Sequence, residues 1–593
     1  MNRNITERLQ SLRGFMQDKQ LDAVFISGTD PHMSEYLCEH WQTRKFMSGF
    51  TGSYGELVIT REKAGLWTDS RYFIQAEDEL RGSGFTMYKL RVPDAVPVVS
   101  WLTLNLQAGA RLGVDPLSLP LATYRNFTQE LEPAGIRVEF CSGMLDGVWH
   151  DRPPLPRKPV YALPDSITGE TRQSKLDRIA SALAEKGAEL TVITALDDLA
   201  WTFNLRGNDV NYNPVFLGFG IVGSAAKALF VNLPALPEDI RNSLETGEIE
   251  VLDYDDFFPY LEKLTGNILY LDPSSVNTAV WDTIRKNNGI VEGTSIPALL
   301  KAVKNETELE GFREAMRKDG VAMVQFLHWI KNNSGKAGLT EYSAALKLKE
   351  FRSLQTGFRG ESFSPIVGYL GHGAIVHFSV DEKNAFELKP RGILLFDSGG
   401  QYDTGTTDIT RTIALGPVTA QQKRDYTLVM KGMISLSMAV FPAGTKGIQL
   451  DVMARQALWS EGLNYGHGTG HGVGHCLNVH EGPAIIRQDF NAHHIVPGMV
   501  FSNEPGLYRK DEYGIRTENL IVCVEKTENE FGTFYGFDTL TLCPLDTSLL
   551  MKNLLTAAER QWLNDYHRTV REELMPLVPE ALKAFLLEIT APV

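Results

Sequence analysis

The sequence predicts a mixed fold: α/β over its first 300 residues, α+β beyond, closed by a C-terminal helical extension. Three observations predict it. Helix-spaced and strand-like segments alternate through the first half. A proline-rich stretch, DRPPLPRKPV (151–160), divides that half into two segments of similar pattern. From about 390 to 525 strands and hairpins dominate, and helical spacing returns near 550.

The first segment opens on an amphipathic helix, in which Ile5, Leu9, Leu12 and Met16 recur at helical spacing. LDAVFIS (21–27) reads as a strand running into the turn GTDP. GELVIT (55–60) and AGLWTDS (64–70) read as strands, and RYFIQAEDEL (71–80) as a helix. After the linker the pattern returns. SKLDRIASALAEKGA (174–188) is a helix, ELTVITAL (189–196) a strand, and DDLAWTFNLRG follows. LDAVFISGTDPHMSEYL and ELTVITALDDLAWTFNL share one order of strand, acidic turn and aromatic helix, each after a helix, which predicts an internal duplication. Gly218, Gly220 and Gly223 fit G-x-G-x-x-G. A dinucleotide site needs that motif to open a helix. Here it lies in an apolar, strand-like run, with more such sequence at Ala228 to Asn232, so it reads as strand.

A third domain begins near residue 300. Thr307-x-x-Glu310 reads as a capping box. The helix behind it carries an apolar stripe of Leu309, Phe312, Met316, Met323 and Leu327. Beyond 550, Leu554, Trp562, Val570 and Leu574 mark the helical extension. The expected domains are 1–152, 160–300, 301–530 and 531–593, which suits a 593-residue chain at roughly 150 residues per domain.

A formal net charge of -15 argues against nucleic acid or anionic membrane as partners. The N-terminus has no apolar signal-peptide core, and no stretch is long and apolar enough to span a bilayer. The five cysteines are scattered, odd in number and form no C-x-x-C pair. Reduced thiols and a cytoplasmic location are expected.

The chemistry sits in two hairpins. GILLFDSGGQYDTGTTDITRTIAL (392–415) reads as strand, turn, strand. With the tip between Tyr402 and Asp403, Asp397 and Asp408 are directly opposed, their β-carbons about 5 Å apart. MVFSNEPGLYRKDEYGIRTENLIVC (499–523) repeats the arrangement. With its tip at Asp511, Glu504 and Glu518 are opposed. Like charges so placed destabilise a sheet unless something compensates. Beside them runs GHGTGHGVGHCLNVHEGP (466–483), with His467, His471, His475 and His480. Four carboxylates with one or more imidazoles make a site for two divalent cations about 3.5–4 Å apart. Oxygen-rich ligation favours a hard ion such as manganese. The alternating glycines exclude a helical zinc motif and let the backbone approach a metal. In the strand-like HCLNVHE (475–481), His475 and His480 have opposite parity, so at most one faces the site. Between His467 and His471 as ligand, the residues alone leave the choice open.

DSGGQYDTGTTDITRT, GHGTGHGVGHCLNVHEGP, SNEPGLY and GIRTENL together resemble the pita-bread metallopeptidases, most closely the long three-domain form of their Xaa-Pro aminopeptidase branch. The resemblance runs the whole chain. It implies two creatinase-like N-terminal α/β domains, a pita-bread catalytic domain and a C-terminal helical extension. It implies Asp397, Asp408, His471, Glu504 and Glu518 as ligands of two divalent ions, with Asp408 and Glu518 bridging. Manganese is the expected metal, with cobalt, zinc and iron as alternatives. It implies His377 and His480 as substrate- and intermediate-stabilising histidines, His467 as a further active-site histidine, and Arg71, in TDSRYF, as a substrate contact. The motif does not require histidine at 475, so His475 is read as structural; His372 is read as a loop histidine. The implied reaction releases the first residue of a peptide whose second is proline, by attack of a metal-bridging hydroxide, with Glu504 as general acid/base. A cytosolic homodimer is implied as well.

Overall fold

The computed structural model describes residues 2–224 and 226–593. The chain folds as two compact units, one of Met1–Pro164 with Glu170–Leu299, the other of Asp165–Gly169 with Leu300–Val593.

The first unit holds two six-stranded sheets of one design. In the first, β1 (Ala23–Ile26), β2 (Glu56–Thr60), β3 (Ala64–Thr68), β4 (Thr86–Lys89), β5 (Arg111–Val114) and β6 (Arg137–Phe140) lie in the order β4-β3-β2-β1-β5-β6. In the second, β7 (Leu190–Ile193), β8 (Gly218–Gly223), β9 (Lys227–Val231), β10 (Glu250–Asp253), β11 (Ile268–Leu271) and β12 (Gly289–Glu292) lie in the order β10-β9-β8-β7-β11-β12. The senses match too. In each sheet the first strand runs antiparallel to the second and parallel to the fifth. The duplication read from sequence is therefore present in topology. β1 and β7 are buried throughout, as central strands of such sheets are. The helix Asn2–Asp18 lays Ile5, Leu9, Leu12 and Met16 into the core, and Arg172–Glu185 lays in Leu176, Ile179 and Leu183. The G-x-G-x-x-G segment is strand along its whole length.

The two copies differ after their first strands. Leu196–Phe203 is the expected aromatic helix, but its counterpart after β1 is a series of turns. Asp30 Oδ1 accepts from the backbone N–H groups of His32 and Ser34, at 2.9 and 3.0 Å, and Met33 takes a left-handed φ of 58°. An aspartate that captures the following N–H groups competes with the helix for them.

In the second unit a long helix, Glu306–Asn333, buries Leu309, Phe312, Met316, Met323 and Leu327. Its cap lies two residues earlier than expected. Asn305 Oδ1 accepts from the Glu308 N–H at 2.9 Å, and Glu308 Oε2 accepts from the Asn305 N–H at 3.0 Å. Asparagine is the stronger N-cap, so Thr307 falls inside the first turn. Two sheets then carry the chemistry. One orders Ile366–Tyr369, Ile393–Ser398 and Ile409–Ala414. The other orders Val440–Pro442, Gly532–Thr539, Asn519–Asn529, Val500–Asn503, Gly470–Gly472 and Glu481–Ile486. The helices Ala557–Leu574 and Glu580–Ile589 close the unit, burying Leu563, Val570, Leu574 and Leu586 in the same core as Phe312 and Met433. Leu554 lies outside them, in a short 3-10 turn, and Trp562, half-buried, stacks on Tyr566 at the margin of that core. All five cysteines are free thiols. Among the described residues no helix is long and apolar enough to cross a membrane.

Candidate metal centre

The two acidic hairpins form, with different registers from one another. In the second, Val500 to Asn503 pair with Val522 to Asn519, and Gly506 to Arg509 with Arg516 to Tyr513. Both ladders keep one register, which sets Glu504 against Glu518 in the gap between them. Asp511 takes the tip with φ 64°. That is the expected arrangement. In the first hairpin Asp397 pairs with Thr410, not Asp408, and the inner ladder pairs Gln401 with Thr406 and Tyr402 with Gly405. The tip is Asp403 and Thr404, so the register slips by two from the expected one. A slip of two preserves the pleat, so Asp397 and Asp408 become diagonal neighbours on one face instead of direct partners.

Hydrogen bonds tie these hairpins and the glycine-rich stretch together. The Glu518 N–H donates to the Thr410 carbonyl at 3.1 Å, and the Glu504 N–H to the Thr469 carbonyl at 2.8 Å. Thr410 Oγ1 donates to Glu518 Oε2 at 2.8 Å, and Ser502 Oγ to Glu504 Oε1 at 3.2 Å. His471 sits on a three-residue strand between Glu481–Ile486 and Val500–Asn503. Glycine is needed on both sides of it: a Cβ at 470 would run into the Ser502 carbonyl oxygen, and one at 472 into that of Glu481.

One ligand atom each from Asp408, His471 and Glu518 lie within 4.8 Å of one another. His471 Nε2 stands 3.5 Å from Asp408 Oδ2 and 3.5 Å from Glu504 Oε1. Its Nδ1 is 2.9 Å from the Gly472 carbonyl, which can only accept, so the ring proton sits there. That leaves Nε2 directed at the two carboxylates. Two donors on one ion at about 2.1 Å, in a tetrahedral arrangement, are about 3.4 Å apart, which fits these spacings. Asp397 supplies a second sign: Oδ2 accepts from Arg516 Nη2 at 2.6 Å, while the buried Oδ1 has no hydrogen-bond partner. A buried carboxylate oxygen left bare is costly unless a cation meets it. The donor set thus fits divalent ions.

Burial drives the carboxyl of Asp408 well above the usual range, with Asp397 and Glu504 adding to the effect. Burial does the same to Glu518, reinforced by Asp408, Glu504 and Asp397, and raises Glu504 as well.

The remaining histidines divide by surroundings. The His480 ring lies 4.4 Å from that of His471, edge to face. His467 Nε2 meets the Tyr508 hydroxyl at 2.7 Å, and Nδ1 meets the Gly468 carbonyl at 2.7 Å. Nδ1 also stands 4.0 Å from Glu504 Oε2. His377 follows a short 3-10 turn, and the carbonyl of its neighbour Val376 accepts from Arg516 Nη2 at 3.3 Å. Residues 475–480 are turns, not the expected strand, with Cys476 at φ 49°; strand resumes at Glu481. His475 is buried against Phe312, ring centroids 5.6 Å apart, and its Nδ1 lies 3.9 Å from Glu308. His372 is more than a loop residue. It stacks on Phe386 at 3.6 Å and meets the buried Glu341 carboxylate at 2.9 Å. Arg71 lies in the first unit, its Nε and Nη2 donating to Asp69 at 3.0 and 2.9 Å.

Two residues were not singled out from the sequence. Arg516 Nη1 donates to Tyr508 Oη at 2.7 Å, completing a chain from Asp397 through Arg516 and Tyr508 to His467. Both lie inside the motifs SNEPGLY and GIRTENL, but their role depends on partners that only the fold brings together.

Comparisons with known proteins agree along the whole length. Residues 310–525 match metallopeptidase family M24, and 533–593 match the C-terminal region of peptidase M24. Residues 8–148 and 151–308 each match a creatinase/prolidase N-terminal domain. The chain is 39% identical over 591 residues to a probable Xaa-Pro aminopeptidase P of Laccaria bicolor, covering 97% of this chain and 91% of that one. It is 37% identical to Xaa-Pro aminopeptidase 1 of Dictyostelium discoideum, covering 97% and 94%. Among solved structures, the X-prolyl aminopeptidase of Caenorhabditis elegans, described as a cytosolic enzyme with a di-nuclear active site, superposes with a TM-score of 0.95. That structure is 33% identical and covers 99% of this chain and 100% of its own.

Proposed function

The chain belongs to metallopeptidase family M24, and on that footing we propose that it is a metal-dependent aminopeptidase. It releases the N-terminal residue from peptides with proline in the second position. The observation that carries this reading is His471 Nε2 facing Asp408 and Glu504 at 3.5 Å, together with the bare Oδ1 of Asp397. Full-length similarity to Xaa-Pro aminopeptidases supplies the specificity.

Asp397, Asp408, His471, Glu504 and Glu518 would hold two divalent ions, Asp408 and Glu518 serving both; the oxygen-rich set suits manganese. When bound, the ions supply Lewis acidity and a water of lowered pKa. The chain's own groups do the rest. Glu504 holds a proton between the attacking water and the leaving proline nitrogen. His377 and His480 donate hydrogen bonds to the substrate carbonyl as it gains negative charge. Tyr508 fixes His467 beside Glu504. Arg71 contacts substrate in this reading. The ring of a second-position proline fixes φ and its nitrogen carries no hydrogen, so recognition rests on ring packing in place of a backbone donor. The protein acts as a cytoplasmic homodimer on peptide substrates.

The test is hydrolysis of an Xaa-Pro-Yaa tripeptide with elemental analysis of the purified protein. We expect two divalent ions per chain and activity abolished by chelation and restored by manganese. Cleavage of Xaa-Pro dipeptides alone, or a chain that neither holds nor takes up a divalent ion, overturns the reading.

A further inference from the structure

The two sheets of the first unit are built alike, and the first carries a cavity at its strand ends. β5 and β11 hold the same place, each parallel to the first strand and next to the edge strand. Each is followed by Asp-Pro: Asp115 and Pro116, Asp272 and Pro273. The match extends to hydrogen bonds. Ser27 Oγ donates to the Ser118 carbonyl in the first copy, and Thr194 Oγ1 to the Ser275 carbonyl in the second.

The two aspartates meet different fates. Asp272 is saturated. Its Oδ1 accepts from the N–H and hydroxyl of Ser274 at 2.8 and 2.6 Å, and its Oδ2 from the Ser295 N–H at 2.9 Å. Phe140 and Glu292 pair with the last residues of β5 and β11, so the counterpart of Ser295 is Gly143. Gly143 has φ 70° and gives Asp115 no hydrogen bond. Asp115 keeps only the Leu117 N–H, at 3.1 Å on Oδ1, and makes no ion pair among the described residues. Asp115 and Gly143 both line a cavity of about 190 Å³. It opens at the carboxyl ends of parallel β1 and β5, where open α/β sheets take ligands.

Its other walls divide by chemistry. Phe25, Ile26, Leu117, Met144 and Leu145 are apolar. Trp41 and Arg152 also line it. Trp41 Nε1 is buried with no acceptor. The Arg152 guanidinium lies over the Trp41 ring at 4.8 Å, and its nearest carboxylate, on the exposed Asp146, is 3.9 Å away. Burial pushes the Asp115 carboxyl up to about 6, offset only in part by Leu117 and Arg152. The cavity wall therefore carries a half-buried carboxylate with a single hydrogen bond and a cation in a loose pair, each of which an opposite ligand group would satisfy. A cavity of roughly 150 Å³ holds benzene, so this one admits somewhat more.

We propose that this cavity binds a free α-amino acid with an apolar side chain. The ammonium meets Asp115, the carboxylate meets Arg152, and the side chain packs on Phe25, Met144 and Leu145. The site stands apart from the peptidase reading, although such amino acids are what that reaction releases.

Calorimetric titration of the full metal-loaded chain with L-leucine tests it. We expect saturable binding that Asp115→Asn weakens at least about tenfold, the loss of one charge-assisted contact. Leucinamide and 4-methylpentanoate, each lacking one charge, should bind the native chain at least about tenfold more weakly than leucine. Peptide kcat and KM should be unchanged in the variant, which separates this binding from occupancy of the metal centre. Arg152→Gln is the second variant. It keeps a polar side chain but removes the charge that the carboxylate meets; leucine should bind it at least about tenfold more weakly. Leucine binding that is absent, or equal in the native chain and Asp115→Asn, overturns the proposal. Equal binding to Arg152→Gln overturns the placement of the carboxylate.

Discussion

At the scale of single residues, His467 and His471 show what a sequence can and cannot say. Each follows a glycine and sends Nδ1 to the carbonyl of the glycine after it. The sequence treats them alike, and only the family motif ranks one above the other. The structure separates them through their other nitrogens. His467 Nε2 is occupied by Tyr508, forty-one residues on, while His471 Nε2 faces Asp408 and Glu504. The deciding partners are remote in sequence, so spacing could not supply them. Two outcomes follow at this scale. Glu504→Gln keeps the side-chain shape but cannot accept a proton; kcat should fall by about 10²- to 10⁴-fold, with circular dichroism unchanged. Full activity in that variant removes Glu504 from its role. Tyr508→Phe leaves Arg516 Nη1 and His467 Nε2 without their hydroxyl partner. Leaving such groups bare costs about 1–3 kcal/mol, so kcat should drop roughly tenfold to a hundredfold with KM little changed. A rise in KM alone would place Tyr508 in substrate binding instead.

At the scale of elements, periodicity was legible and register less so. Apolar spacing located the helices Asn2–Asp18 and Glu306–Asn333, because one buried face suffices to define a helix. The tip of the second hairpin was legible because Asp511 sits centrally in a polar run and tolerates positive φ. The first hairpin slipped by two because its turn, rich in Gly, Asp and Thr, offers several equivalent tips. Residues 475–481 alternate like a strand, yet His475 is drawn into the core against Phe312, which bends the chain into turns. The C-terminal helix Ala557–Leu574 carries a pH dependence that no periodicity reveals. Burial, with the charges of Arg411 and Arg571, lowers the His567 pKa to about 4 from 6.5. Its Nε2 accepts from the Leu545 N–H at 3.1 Å, which requires the neutral ring. Between pH 6.5 and 4 the unfolded chain binds a proton that the folded chain refuses, so stability falls as pH falls through that window. The loss should reach about 3 kcal/mol at most. Denaturant unfolding at pH 7 and pH 4.5 measures it, and His567→Gln should flatten that difference. An unaltered difference in the variant would assign the acid sensitivity elsewhere.

At the scale of the whole molecule, the duplicated sheets and the acidic hairpins occupy separate units, and the metal-ligating groups belong to the second alone. Removing metal should therefore act on that unit. Without cations, Asp408 and Glu518 retain protons well above the usual carboxylate range, through burial first and repulsion from neighbouring carboxylates second. Between the unfolded value, near 4, and those raised values the folded chain binds more protons than the unfolded one. The metal-free fold consequently loses stability as pH rises through that window, the opposite sign to His567. Bound divalent ions favour the ionised carboxylates and cancel the loss, and they add binding free energy to the folded state. Chelation should thus lower the melting temperature by more at pH 8 than at pH 5. Hydrogen exchange should report the change in Ile393–Ser398, Ile409–Ala414 and Val500–Asn503, with β1 to β12 unaltered. Equal destabilisation at both pH values, or lost protection spread over the first unit, would mean that the clustered carboxylates are not what the ions stabilise.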